Sequence, residues 1–156
     1  MPRPRNPEKK QMKRRTGEFQ GRISKAEQQF NELMRNKRFG EALVKAEQIY
    51  NATGQRSHID VLTAAYALAE ELEKSGNFAK KSQVLERAAK ILEEKFPRVK
   101  SEEKKTLSKT IFVWLNQAAD SAELAGNKKR SIQLRLKAVE FAFKRKNNAD
   151  KEKNSK

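Results

Sequence analysis

Apolar residues recur along this chain at three- and four-residue spacing, and no stretch alternates with the two-residue period of a strand. Six segments carry the pattern. Residues 19–36 place Phe19, Ile23, Ala26, Phe30, Leu33 and Met34 on one face. Residues 39–52 repeat it with Phe39, Ala42, Leu43, Ala46, Ile49 and Tyr50, and Gly54 follows as a stop. The third segment opens at Ser57, where Asp60 three residues on resembles a capping box, and carries Val61, Leu62, Ala65, Leu68, Ala69 and Leu72 to Ser75. The fourth, 78–95, bears Val84, Leu85, Ala88, Ala89, Ile91 and Leu92. Phe96-Pro97 closes it, because proline disfavours helical geometry in the residue before it. The fifth begins at Ser101 and presents Leu107, Ile111, Trp114, Leu115, Ala118, Ala119 and Ala122; the sixth spans 128–145. The prediction is an all-α protein of about six helices.

Gly-Asn occurs at residues 76–77 and again at 126–127, each time between two such segments. Glycine inside a helix costs about 1 kcal/mol against alanine. Two glycines placed alike in a chain of helix formers therefore predict two tight turns joining antiparallel helices. Residues 1–17 lack hydrophobic periodicity and hold three prolines and seven Lys/Arg, so they read as a flexible basic arm. Residues 147–156 read as a polar tail, which leaves 18–146 as the folded domain.

The chain has 156 residues and a net charge of +16, unevenly spread. Residues 1–25 carry +7, residues 26–96 are neutral, and residues 97–156 carry +9. Positive potential at the two ends attracts phosphate polymers or acidic proteins. With no cysteine, disulfides, thiolate nucleophiles and Cys-based metal sites are excluded. The basic, Pro-rich start has no apolar run behind it, and no run reaches the ~18 apolar residues of a membrane span. The expectation is a cytoplasmic protein without a membrane partner; in a nucleated cell the basic run would also serve as an import signal.

With the turns and stripes in hand, the chain resembles the tetratricopeptide repeat (TPR) family over residues 20–146. Leu68, Ala69, Leu72, Gly76, Phe78, Leu85 and Ala88 stand at the family's packing and turn positions; so do Phe39 and Ala42 earlier, and Ala118, Ala119, Ala122, Gly126, Ser131 and Ala138 later. Lys81 occupies the small-residue position, with Ser82 beside it, and no proline closes each repeat. The resemblance implies antiparallel helical hairpins stacked as a short right-handed solenoid. Its concave surface would be lined by the first helix of each hairpin. A plain six-helix bundle is the alternative.

Candidates for chemistry are few. His58 is the single histidine and reads as an exposed loop imidazole. Glu70-Glu71, Glu93-Glu94 and Glu102-Glu103 are adjacent, so their side chains diverge by about 100° on a helix and form no acid/base pair. No phosphate-binding glycine loop or nucleophile motif is present, and the expectation is a non-enzyme with no cofactor and no metal. Trp114 reads as a core residue. Transferring the family's inward positions gives a groove of Tyr66, Glu70 and Glu73 with Asn116, Asp120 and Glu123, joined by Glu27 and Asn31 of the first segment. Such a groove is acidic and suits a basic peptide, this chain's own arm or that of a second copy included.

The basic candidates lie at the ends. Arg3, Arg5, Lys9, Lys10, Lys13, Arg14 and Arg15 form the first cluster. On the sixth segment Lys129, Arg130, Lys137 and Lys144 share one ~100° sector, extended by Arg145 and Lys146. Clusters of this kind bind nucleic-acid phosphates, and without aromatic residues among them they imply no sequence readout. The remaining surface of that segment, Ile132 to Phe143, is wider than one neighbour covers and offers a surface for association, homo-oligomers included. The expected function is a TPR-like adapter or scaffold with protein partners, whose basic termini contact RNA or DNA in a ribonucleoprotein or DNA-associated assembly. The alternative is a protein-only binding module or small TPR chaperone, or a self-associating scaffold.

Overall fold

The computed structural model describes the backbone of residues 7–53 and 58–154 and the side chains of residues 21–53 and 58–143. All regular structure among the described residues is helical. The chain divides into two compact units, Met1–Ser57 and His58–Lys156.

The first unit is one helical hairpin of α1 (Pro7–Arg35) and α2 (Phe39–Ala52). Phe30, Ala42, Leu43, Ala46, Ile49 and Tyr50 are buried. The first helix begins at Pro7, earlier than the hydrophobic pattern indicates, and takes in residues 7–17, where the sequence predicts an arm. Proline is well placed at the first helical position, and the Glu, Lys, Gln, Met and Arg that follow are good helix formers without needing an apolar face. The second helix stops where Thr53 turns its hydroxyl back onto the Ile49 carbonyl at 2.9 Å. Gly54 and Ser57 lie outside the described residues.

The second unit contains α3 (Ile59–Lys74), α4 (Phe78–Lys95), a single 3-10 turn (Phe96–Arg98), α5 (Ser101–Leu124) and α6 (Lys128–Asn154). The last helix runs past residue 146 into the stretch where the sequence predicts a tail. His58, not Ser57, occupies the position before α3, and it makes no side-chain cap. Helices α3 and α4, α4 and α5, and α5 and α6 pack in sequence. The core joins Leu85, Ala89 and Leu92 of α4 to Leu107, Ile111, Leu115, Ala118, Ala119 and Ala122 of α5 and to Leu134 and Ala138 of α6. So many alanines let the helices approach closely. Trp114 sits at the edge of this cluster, partly buried. Phe96 meets Phe141 edge-on at 5.2 Å, and the Lys104 ammonium lies 5.7 Å from the Phe96 ring centre.

The Gly-Asn pairs do two jobs each. Gly76 (φ 74°) and Gly126 (φ 85°) adopt the left-handed conformation that an L side chain resists. The Gly76 amide bonds Glu73 O at 3.0 Å and the Asn77 amide bonds Leu72 O at 2.9 Å; Gly126 and Asn127 do the same to Glu123 and Ala122. This is the Schellman end. The asparagine then caps the next helix: Asn77 Oδ1 accepts from the Lys80 amide, and Asn127 Oδ1 from the Arg130 amide. A third copy joins α1 to α2, where the Lys37 amide bonds Met34 O and the Arg38 amide bonds Leu33 O. There Lys37 (φ 57°) holds the left-handed position without being glycine.

Candidate protein-binding cleft and basic surfaces

Within the second unit α3 and α5 both pack against α4. Their identical C-terminal turns put Tyr66, Glu70 and Glu73 of α3 and Asn116, Asp120 and Glu123 of α5 fifty residues apart at matching positions. Between the helices lies an open cleft of about 320 Å³ lined by Tyr66, Glu70, Glu73, Asp120 and Leu124, with Lys81 and Leu85 of α4 at its floor. Four of the six groove residues expected from the sequence therefore come together. Asn116 does not line the cleft; its amide donates to Phe112 O at 3.0 Å. Glu123 stands beside the cleft and reaches it through Arg135. Glu27 and Asn31 belong to the other unit.

The cleft is less acidic than the residues of α3 and α5 alone imply. Lys81 Nζ pairs with Glu73 at 3.2 Å, and Arg135 of α6 pairs with Asp120 at 2.7 Å and Glu123 at 3.2 Å. These two carboxylates hold the Arg135 guanidinium above its ordinary pKa, the hydrogen bond to Asp120 contributing most. Glu70 accepts a hydrogen bond from the Tyr66 hydroxyl, which raises the Tyr66 pKa. Four carboxylates still face two cations, so the cleft and its rim are net negative in a chain of charge +16. Tyr66 (53% exposed) and Leu124 (67%) add uncovered apolar surface at its edge. The lysine at position 81 is displaced from the packing site by Ser82. That serine is buried and donates its hydroxyl to Ala118 O at 2.6 Å, locking α4 to α5.

His58 is not an exposed loop imidazole. It lies partly buried at the start of α3, and its Nδ1 contacts Lys95 Nζ at the end of α4. An ammonium can only donate, so Nδ1 accepts. Burial, then the Lys95 charge, push the imidazole pKa down; the Glu103 charge opposes them. The Lys95 pKa is lowered by burial. Leu62, Val99 and Leu107 share the adjoining open cavity with Glu102 and Glu103. Among the described residues no group of three or more His, Asp or Glu is placed to hold a metal ion, and no helix is long and apolar enough to cross a membrane.

The basic sector of α6 is only partly free. Lys129 is exposed and Lys137 half-buried, while Arg130 is engaged by Glu86 of α4 and by Gln133. Arg3 and Arg5 lie outside the described residues. Lys9, Lys10, Lys13, Arg14 and Arg15 fall on α1, and Lys144, Arg145 and Lys146 on α6, by backbone alone; their side chains lie outside the described residues. No known family model, curated protein or solved structure matches the chain.

Proposed function

We propose that this chain is a non-catalytic adapter, a short TPR-like stack of helical hairpins whose α3–α5 cleft takes a basic peptide segment of a partner protein. One observation carries the reading. In a strongly basic chain, Glu70, Glu73 and Asp120 line one open cleft with Glu123 at its rim, and Lys81 and Arg135 pair against them. Two cations engage three of the four carboxylates, and the set keeps a net negative charge. A cationic guest complements that charge, and Tyr66 supplies a flat ring for a guanidinium or an aliphatic stem. The test is fluorescence polarisation with a labelled Lys/Arg-rich peptide and its Glu-rich counterpart. The basic peptide should bind, and the Glu70→Gln/Asp120→Asn double variant should weaken it about tenfold. Equal affinity for both peptides would refute the cleft as the site.

The adapter's second contact, with RNA or DNA, rests on a different observation: Lys129 and Lys137 share a sector of α6 that contains one acid, Glu140, and the basic run 9–15 lies on α1. Mixed-sequence RNA or DNA should bind at low salt, and the affinity should fall steeply as salt rises. Charge reversal at Lys129, Arg130, Lys137 and Lys144 with removal of residues 1–17 should abolish it. Absence of any mobility shift at low salt rules this contact out.

A further inference from the structure

Because the turns before α4 and α6 have the same geometry, the two helices keep the same phase fifty residues apart, and their faces can be compared position by position. Val84 and Ala88 of α4 correspond to Leu134 and Ala138 of α6, and all four are buried. The next strip differs. On α4 it consists of Ser82, Leu85, Ala89 and Leu92, all buried, with α5 lying against it. On α6 the same positions are Ile132, Arg135, Val139 and Ala142, flanked by Leu136 and Phe143. Here the large side chains are uncovered: Ile132 is 60% exposed, Leu136 57%, Val139 60% and Phe143 65%. Their spacing of four, three and four residues is that of a helix–helix seam. Beside them Phe112 of α5, also exposed, lines a shallow cavity of about 240 Å³ with Phe141 and Ala142.

We infer that this strip of α6 is a docking face for an acidic amphipathic helix from a partner protein, lying on α6 as α5 lies on α4. The correspondence with α4 says that the occupant is a helix. Charge says what kind. Residues 128–146 hold eight Lys/Arg and one acid, Glu140. Lys128 and Lys129 border the strip at its start, and Arg135 crosses its edge while bound to Asp120 and Glu123. A second copy of α6 would set two such basic helices together in either direction, and α1 of this chain is itself net basic. A partner with aliphatic residues at three- and four-residue spacing and glutamates on both sides buries the strip and neutralises its borders. This face is distinct from the α3–α5 cleft, so the two contacts can fail independently.

The full chain is titrated with a labelled designed helical peptide that carries Leu and Ala at seam positions and Glu beside them. Controls are the same peptide with Lys for Glu, and vesicles of phosphatidylcholine with phosphatidylserine. Sedimentation of the chain alone runs in parallel. The acidic peptide should bind at micromolar concentration and the basic peptide should not. Leu136→Gln/Val139→Gln should weaken binding at least tenfold, and Ile132→Gln/Phe143→Gln should do the same from the other end of the strip. Val44→Gln, exposed on α2, and Glu70→Gln should leave it unchanged. All of these positions are exposed, so unaltered circular dichroism and melting temperature are expected. The inference is overturned if the peptides bind alike or not at all. Vesicle binding lost in the strip variants would overturn it in favour of a membrane surface, and a dimer lost in them would point to a second copy.

Discussion

Replacing Gly126 with alanine tests the turn that organises the second unit. A Cβ built on Gly126 meets nothing within 4 Å, so no steric contact with neighbours enters, and the whole effect is conformational. Holding an alanine at φ 85° costs about 1–2 kcal/mol relative to glycine. Alanine also restricts the unfolded chain, which returns about 0.4–1 kcal/mol. The net loss is then on the order of 1 kcal/mol, or about 4–8 °C in melting temperature for a unit of this size. Gly76→Ala should lose a similar amount for the same reason. Gly21 supplies the control of opposite sign. It lies inside α1, also with nothing within 4 Å of a built Cβ, and Gly21→Ala should gain about 1 kcal/mol. Lys37→Gly should also stabilise, since it removes a side chain from the left-handed position of the third turn. Urea unfolding followed by far-UV circular dichroism measures all four. If Gly126→Ala raised the midpoint as Gly21→Ala does, residue 126 could not be at positive φ, and the matched phase of α4 and α6 would be lost with it.

Ser82→Ala should cost about 1 kcal/mol in the same assay, because it removes the buried hydroxyl bond to Ala118 O, and Ser82→Val should cost about 1–3 kcal/mol by overpacking the α4–α5 contact. Leu134→Ala should cost about 2–5 kcal/mol, whereas Ile132→Gln, two residues away on the open side, should stay within about 0.5 kcal/mol of neutral. His58 gives a pH dependence. Its folded pKa lies below the ordinary 6.5, so the unfolded chain binds the proton more readily, and stability should fall as pH drops below about 6.5. His58→Gln should flatten that slope between about pH 6.5 and 5, above the range where most carboxylates titrate. An unchanged slope would mean that burial and the Lys95 charge do not hold the imidazole neutral.

Much of this was legible in the sequence because the same local chemistry is used more than once. Gly76-Asn77 and Gly126-Asn127 announce two hairpin turns, since glycine accepts positive φ and asparagine caps the next helix. Lys37 carries no such signal, although its backbone does the same thing. The start of α1 was hidden for a different reason: residues 7–17 have high helix propensity but no apolar stripe, and periodicity reports burial, not helicity. The acids of the cleft stand at the inward positions that the resemblance to helical repeats implies for α3 and α5. Their counter-charges were not, because Lys81 and Arg135 arrive from α4 and α6, and only packing brings them there. On α6 both halves of the apolar surface look alike in sequence. The core takes Leu134 and Ala138, whereas Ile132 and Val139, where α4 has the smaller Ser82 and Ala89, remain outside.

The three surfaces answer differently to salt, and this separates them physically. A basic guest in the α3–α5 cleft is held by exposed carboxylates, so its affinity falls as the Debye length shrinks from about 10 Å at 0.1 M to about 3 Å at 1 M. Phosphate contacts at Lys129 and Lys137 fall faster still, because each neutralised phosphate releases counterions. A helix docked on Ile132, Leu136, Val139 and Phe143 is held mainly by apolar burial, which screening does not weaken. Salt removes only the part contributed by Lys128 and Lys129, and an excluded salt such as sulfate strengthens the rest. A salt titration of each ligand against the full chain therefore yields three slopes. A docked helix whose affinity collapsed as steeply as that of nucleic acid would be held by the charges of α6 and not by its apolar strip.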